Sequence, residues 1–134
     1  MDSKEIILSQ IGDLSRALLK LSEALNSTVD MEIVRDGTIQ RFEFCFELSW
    51  KLLKSINTFL GTECFSPRDC VRIAAQNEII DDPEKWFEYI KMRNFASHTY
   101  NEKLAEEIYN KIPDFEKATN IMLHKIEQKI IDLA

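Results

Sequence analysis

The stretch RNFASHTY, residues 93–100, gathers Arg93, Asn94, Ser97, His98 and Tyr100 in a chain that has only two histidines. These residue types suit acid–base chemistry on a phosphate ester. A neutral histidine can take the proton of a ribose 2′-hydroxyl near neutral pH, and a guanidinium can brace the charge that grows on the attacked phosphate. Asn94 can orient the histidine or donate to a phosphate oxygen, while Tyr100 offers a hydroxyl and an aromatic face on which a base can stack. Such a reaction calls for no metal and leaves a 2′,3′-cyclic phosphate.

Geometry limits what one helix can do with this set. Seven residues make nearly two turns, so Arg93, Ser97 and Tyr100 fall within about 60° of one another on a continuing helix. Asn94 and His98 form an i,i+4 pair on an adjoining arc, and His98 then stands about 140° from Arg93. The two can converge only if the helix unwinds near His98 or if a symmetry-related copy completes the site. The pattern also admits a reading without chemistry. A lone histidine near a helix C-terminus is a natural partner for the helix dipole, and Arg93 has Glu88, Glu102 and Glu107 within reach as ion-pair partners. Tyr100 and Tyr109 would then be rim residues, and His124, with no comparable neighbours, a surface or packing residue.

The elements that must hold these residues are helical. Ile7, Ile11, Leu14, Leu18, Leu21 and Leu25 step by four and three, which predicts a first helix with one apolar seam. Asn26 to Asp30 breaks the pattern. A second helix is predicted from about Asp36 to Leu60, closed by Gly61 at a left-handed C′ position. It carries one stripe of Ile39, Phe42, Phe46, Trp50 and Leu53 and another of Phe44, Leu48, Leu52 and Phe59, with Glu43, Glu47, Lys51 and Lys54 between them. A helix apolar on two sides belongs in the middle of a bundle or against a second subunit.

Ser66-Pro67-Arg68-Asp69 places an N-cap, a proline at N1 and an acid in the first turn of a short helix reaching about Glu78. Asp82-Pro83-Glu84 repeats the signal and opens the helix that carries RNFASHTY to about His98. Asn101 is suited to cap a further short helix to Lys111. Pro113 is expected to begin the last helix, with Phe115, Ala118, Met122, Ile126 and Leu133 on one face. The expectation is a single all-α domain over residues 1–134, an up-and-down four-helix bundle with one or two additional short helices.

Composition bounds the rest. Three glycines and three prolines are too few for a turn-rich β fold, and 30% charged beside 45% apolar residues suits a soluble helical bundle. The net charge of −6 opposes loose binding to nucleic acid, so an RNA ligand needs a local basic groove. Candidates for its walls are Arg68, Arg72, Lys91, Arg93 and Lys103. Cys45, Cys64 and Cys70 show neither paired spacing nor companion histidines, so reduced thiols are expected, with no disulfide framework and no metal site. The start MDSKEIILSQ lacks the pattern of a signal peptide and no run approaches a membrane span. A cytoplasmic chain is the expectation.

Arg93-x4-His98-x-Tyr100, with Asn94 directly after the arginine, resembles the Arg-x4-His-x-Tyr motif of the HEPN (higher eukaryotes and prokaryotes nucleotide-binding) superfamily. The longer strings IQRFEFCFELSWKLLK and MRNFASHTYNEKLAEEIY resemble its nucleotidyltransferase substrate-binding branch, over nearly the whole chain. The resemblance implies a helical bundle that forms a homodimer, with the motif helices along a cleft between subunits that takes RNA or a nucleotide. It implies a partner, a minimal nucleotidyltransferase encoded nearby, and no cofactor. In HepT-like toxins the motif arginine and histidine carry metal-independent ribonuclease activity, and the partner, as antitoxin, silences it by AMPylation of the motif tyrosine. By position, Arg93, His98 and Asn94 make up the catalytic set, with Asn94 backing the histidine, Ser97 is supporting, and Tyr100 is the modified residue. The branch is also read as a non-catalytic substrate-binding subunit, in which the same cleft holds a nucleotide and cuts nothing.

Overall fold

A computed structural model describes residues 2–98 and 100–132 of the chain. Its elements are α1 (Ser3–Leu25), α2 (Glu32–Phe59), α3 (Pro67–Gln76), α4 (Pro83–Phe95), a 3₁₀ turn (Ala96–His98) and α5 (Glu102–Asp132). The all-α expectation holds. The apolar seam of α1 is buried from Ile7 to Leu21, with Leu25 partly covered at its end. It packs on α2, which also touches α3, α4 and α5 and so occupies the middle of the bundle.

Specific contacts give the directions. Arg41 of α2 donates to the Lys20 carbonyl of α1 at 2.6 Å, and the two helices, joined by a short loop, run antiparallel. Arg35 meets Glu102 and Glu106, whereas Phe42 meets Phe115, so α2 and α5 run parallel. Lys85 and Tyr89 of α4 both reach Asp114 of α5, on the far side of a tight reversal. Up, down, up and down is therefore the order of α1, α2, α4 and α5.

Local signals explain most boundaries. Ser66 accepts from the Asp69 amide and Asp82 from the Lys85 amide, each with a proline opening the helix. Gly61, with φ of 110°, closes α2 through amide bonds from Gly61 to Thr58 and from Thr62 to Asn57, a left-handed cap that glycine adopts without a Cβ clash. The same cap ends α3, with Glu78 in the left-handed position at φ of 62°. Asn101 accepts from the Leu104 amide.

Four expectations need correction. The second helix starts at Glu32 rather than near Asp36, because Met31 is extended and supplies a backbone cap without a side-chain bond. Phe44 of its second stripe is exposed, whereas Leu52 is buried. The short helix from Asn101 and the last helix are one, α5, and Pro113 lies inside it. The bundle therefore has three long helices, of 23, 28 and 31 residues, with α4 at 13 and α3 at 10. Proline removes one i→i−4 bond, but Ile108, Ile112 and Phe115 anchor both flanks in the core while Pro113 faces solvent. Pro113→Ala should restore that bond and stabilise the fold by about 1–3 kcal/mol, read as a higher midpoint in urea with an unchanged slope. Of the last helix's face, Phe115, Met122 and Ile126 are buried and Ala118 partly so; Leu133 lies outside the described residues.

The fourth correction concerns cysteine. Cys64 and Cys70 form a disulfide, their Cα atoms 5.2 Å apart, because the Gly61 turn folds the loop back over the second turn of α3. Asn57, fully buried, ties the same corner: its amide donates to the Cys70 carbonyl at 3.0 Å and accepts from Asn77 at 3.0 Å. Cys45 is a free thiol inside the core, pushed up to about 12 by burial and then by Glu116.

The core joins α2, α4 and α5 through aromatic edges. Phe115 meets Phe42, Tyr89 and Trp86 at ring centroid distances of 4.8, 5.3 and 5.9 Å. The Tyr89 hydroxyl leaves this cluster to donate to Asp114 at 2.5 Å. That bond, and then Lys85, holds the Asp114 carboxyl below its usual range. A depressed carboxylate stabilises the fold above its unfolded pKa of about 3.9 and loses that contribution as pH falls through the lower folded value. Tyr89→Phe should thus cost about 1 kcal/mol at pH 7, a figure reduced for solvent screening of the half-exposed Asp114, and the cost should shrink in acid denaturation curves as pH falls through the lowered folded value. No described helix is long and apolar enough to cross a membrane.

Candidate functional site

RNFASHTY straddles the change from α4 to the 3₁₀ turn and on to the cap of α5. The α-helix stops at Phe95, and Ala96 to His98 continue as a tighter turn. Ala96, 2% exposed, faces the core, while Ser97 and His98 on either side of its arc face solvent. The unwinding near His98 that convergence required is present. It brings His98 to Tyr100 rather than to Arg93.

His98 Nδ1 stands 3.2 Å from Tyr100 Oη, with the rings edge to face at 5.7 Å. The Phe95 ring is tilted against the imidazole at a centroid distance of 6.4 Å. Tyr100 is 82% exposed, so its hydroxyl is open to a second reactant. Ser97 is exposed in the same turn but has no hydrogen bond among the described residues. Asn94 is exposed on α4 and lines a groove of about 510 Å³ with Arg68, Phe87, Lys91 and Phe95. The Arg68 guanidinium sits 4.3 Å above the Phe87 ring in that groove.

Arg93 pairs with none of the acids expected for it. Its Nη2 meets Glu47 Oε1 of α2 at 2.5 Å. Glu47 Oε2 in turn accepts from the Trp50 indole at 3.2 Å. One turn earlier on α2, the Glu43 carboxyl is raised from its usual value, chiefly by burial; Arg93 pulls it down and Glu47 pushes it up. Among the described residues no hydrogen bond or ion pair joins Arg93 to His98.

Of the five basic candidates, Arg68 and Lys91 share the Asn94 groove, and Arg72 is 3.8 Å from Asp69. Sequence reasoning passed over Arg35, which is 7% exposed and bonded to Glu102 at 2.8 Å, Glu106 at 3.1 Å and Asp36 at 3.1 Å. Its signal was present: Glu102 and Glu106 form an i,i+4 pair at the start of the helix after the motif. Those bonds hold the guanidinium more firmly protonated than usual and keep the Glu102 carboxyl low. The cluster fixes the start of α5 onto α2. Among the described residues no group of three or more His, Cys, Asp and Glu side chains gathers as a metal site would.

Comparison with known proteins gives the family. A Haemophilus influenzae (strain Rd) protein named "Probable ribonuclease HepT" is 34% identical over 127 residues, covering 87% of this chain and 86% of its own. A solved Thermus thermophilus structure superposes with a TM-score of 0.79 at 29% identity, covering 84% of this chain and 98% of the other. A second solved structure, from Haemophilus influenzae, is described as revealing the fold of a substrate-binding domain of a nucleotidyltransferase. It superposes with a TM-score of 0.68 at 26% identity over 92% of this chain and 98% of its own. Residues 9–128 match the family described as nucleotidyltransferase substrate binding protein like, and with that match over most of its length the chain belongs to that family.

Proposed function

We propose that the chain is the ribonuclease toxin of a two-component pair and that its partner is a minimal nucleotidyltransferase acting as antitoxin. The observation that carries this reading is the contact between His98 and Tyr100, a base beside an exposed hydroxyl at 3.2 Å. With RNA bound, His98 takes the proton of a ribose 2′-hydroxyl. The 2′-oxygen attacks the adjacent phosphorus, the 5′-oxygen leaves with a proton, and a 2′,3′-cyclic phosphate remains. Arg93 stabilises the charge on the non-bridging oxygens, and Asn94 donates to the same phosphate.

The modification uses the same pair. Tyr100 Oη attacks the α-phosphorus of ATP held by the transferase, its proton passes to His98, and pyrophosphate leaves. The resulting phosphodiester puts a negative charge and an adenosine against His98, where they compete with RNA. Arg93 and His98 belong to one site only if their side chains meet around a ligand, and a homodimer supplies that arrangement by placing two motifs along one cleft. Phe44 and Phe95, 57% and 40% exposed, are apolar surfaces suited to such an interface.

A second reading, a substrate-binding subunit without chemistry of its own, draws on the description of the Haemophilus influenzae structure as a substrate-binding domain. Labelled RNA in excess chelator separates the two. The ribonuclease reading expects cleavage by protein free of added AMP, with cyclic-phosphate ends and no loss in chelator. Incubation with the transferase and ATP should then add the mass of one AMP to the parent but not to Tyr100→Phe, and stop cleavage. A folded, unmodified dimer that cuts none of several RNAs yet binds nucleotide would establish the binding subunit instead.

A further inference from the structure

We infer that Glu47, itself oriented by Trp50, is the positioning residue that aims Arg93 at the scissile phosphate. The inference rests on the ribonuclease reading. Arg93 sits at the C-terminal end of a 13-residue helix, where a long side chain on a half-exposed surface has many rotamers. Two residues of α2, and the burial of part of Arg93 itself, remove that freedom.

Glu47 Oε1 holds Nη2 at 2.5 Å. The Trp50 indole, three residues on, donates to Glu47 Oε2 at 3.2 Å, so the carboxylate is fixed from its other end. Arg93 Nε is closed off from solvent and has no partner among the described residues, which leaves Glu47 as the described group that sets the plane of the guanidinium. The pair is half covered, at 41% and 33% side-chain exposure. It is shielded enough to persist and open enough for the remaining donors of the guanidinium to reach a ligand. A guanidinium presents five donors in a planar fork, so one carboxylate and one phosphate can be held together.

The opposing effect is charge. Glu47 neutralises part of the attraction that Arg93 offers a phosphate, and a partly ionised Glu43 would add to the loss. Burial keeps the Glu43 carboxyl raised, which limits that loss most where pH is lowest. In a reaction step that needs a donor in a fixed place, placement outweighs strength, since a 1 Å error in such a group can cost about 10²-fold. Tighter ground-state binding by a freed arginine would appear in KM and not in turnover.

The test compares parent, Glu47→Ala, Glu47→Gln and Trp50→Phe in RNA cleavage, each checked by thermal melting. Glu47→Ala should lower kcat about 10–100-fold with KM for RNA unchanged or lower. Glu47→Gln, which keeps one oxygen for Arg93, should recover part of the loss, and Trp50→Phe should lower kcat several-fold. A merely structural Glu47 would shift the melting midpoint and leave kcat of the folded fraction at the parental value, and that result overturns the inference while the ribonuclease reading stands. If the parent itself cuts no RNA, the reading fails first and takes the inference with it.

Discussion

His98→Ala is expected to cut RNA about 10²–10⁴-fold more slowly than the parent, the usual worth of a positioned acid or base, while melting within about 2 °C of it. The two halves of that expectation have separate causes. Among the described residues His98 is exposed, with Tyr100 and the Phe95 ring as its aromatic neighbours, so truncation opens no cavity there and leaves no buried group unsatisfied. Surface changes of that kind stay within about 0.5 kcal/mol. If instead His98 served packing, the substitution would lower the midpoint and spare the rate of whatever remained folded. A folded His98→Ala protein that cleaves at the parental rate would remove the histidine from the mechanism, and Tyr100 would then lose its role as a switch acting through it.

Phe115→Ala should have the largest effect on stability, about 3–5 kcal/mol. Phe115 is fully buried and meets rings from both α2 and α4. No smaller side chain can span those three edges, and the surrounding helices are too long to collapse into the gap. For a chain of this size the loss corresponds to roughly 10–20 °C in melting temperature. Urea unfolding at pH 7 would read it as a lower midpoint with the same slope. A loss below about 1 kcal/mol would mean that the aromatic cluster repacks freely and that α4 is not fixed to α5 through it.

The fold was legible wherever a side chain acts on its own neighbourhood. The seam of α1, Gly61 at the end of α2, and the caps at Ser66, Asp82 and Asn101 are local signals, and each sits where the sequence placed it. Pro113 was misleading for the opposite reason. Its local cost is real, but burial of Ile108, Ile112 and Phe115 on both sides exceeds it, and that burial comes from helices far away in sequence. Cys64 and Cys70 are brought together by a turn rather than by their spacing.

Within the motif, the clustering of residue types was visible in the chain, and unwinding near His98 was one of two routes to Arg93; the turn is present but leads to Tyr100. The partner of Arg93 was not visible. Glu47 lies on another helix, among the charged residues Glu43, Glu47, Lys51 and Lys54 that separate its two apolar stripes. Arg35 was missed because α2 was expected to begin one residue after it.

Ala96 has a thermodynamic consequence. The 3₁₀ turn is pinned at its start by this buried side chain, α4 is held by the aromatic cluster before it, and α5 is held by Arg35 after it. Under the proposed function, a nucleotide arriving at His98 and Tyr100 therefore meets flanking helices that are already held in place. Titration calorimetry should show a heat-capacity change no larger than the contact surface accounts for, without the excess that accompanies folding on binding. Under the proposed modification, removal of the added group should restore cleavage with no refolding delay.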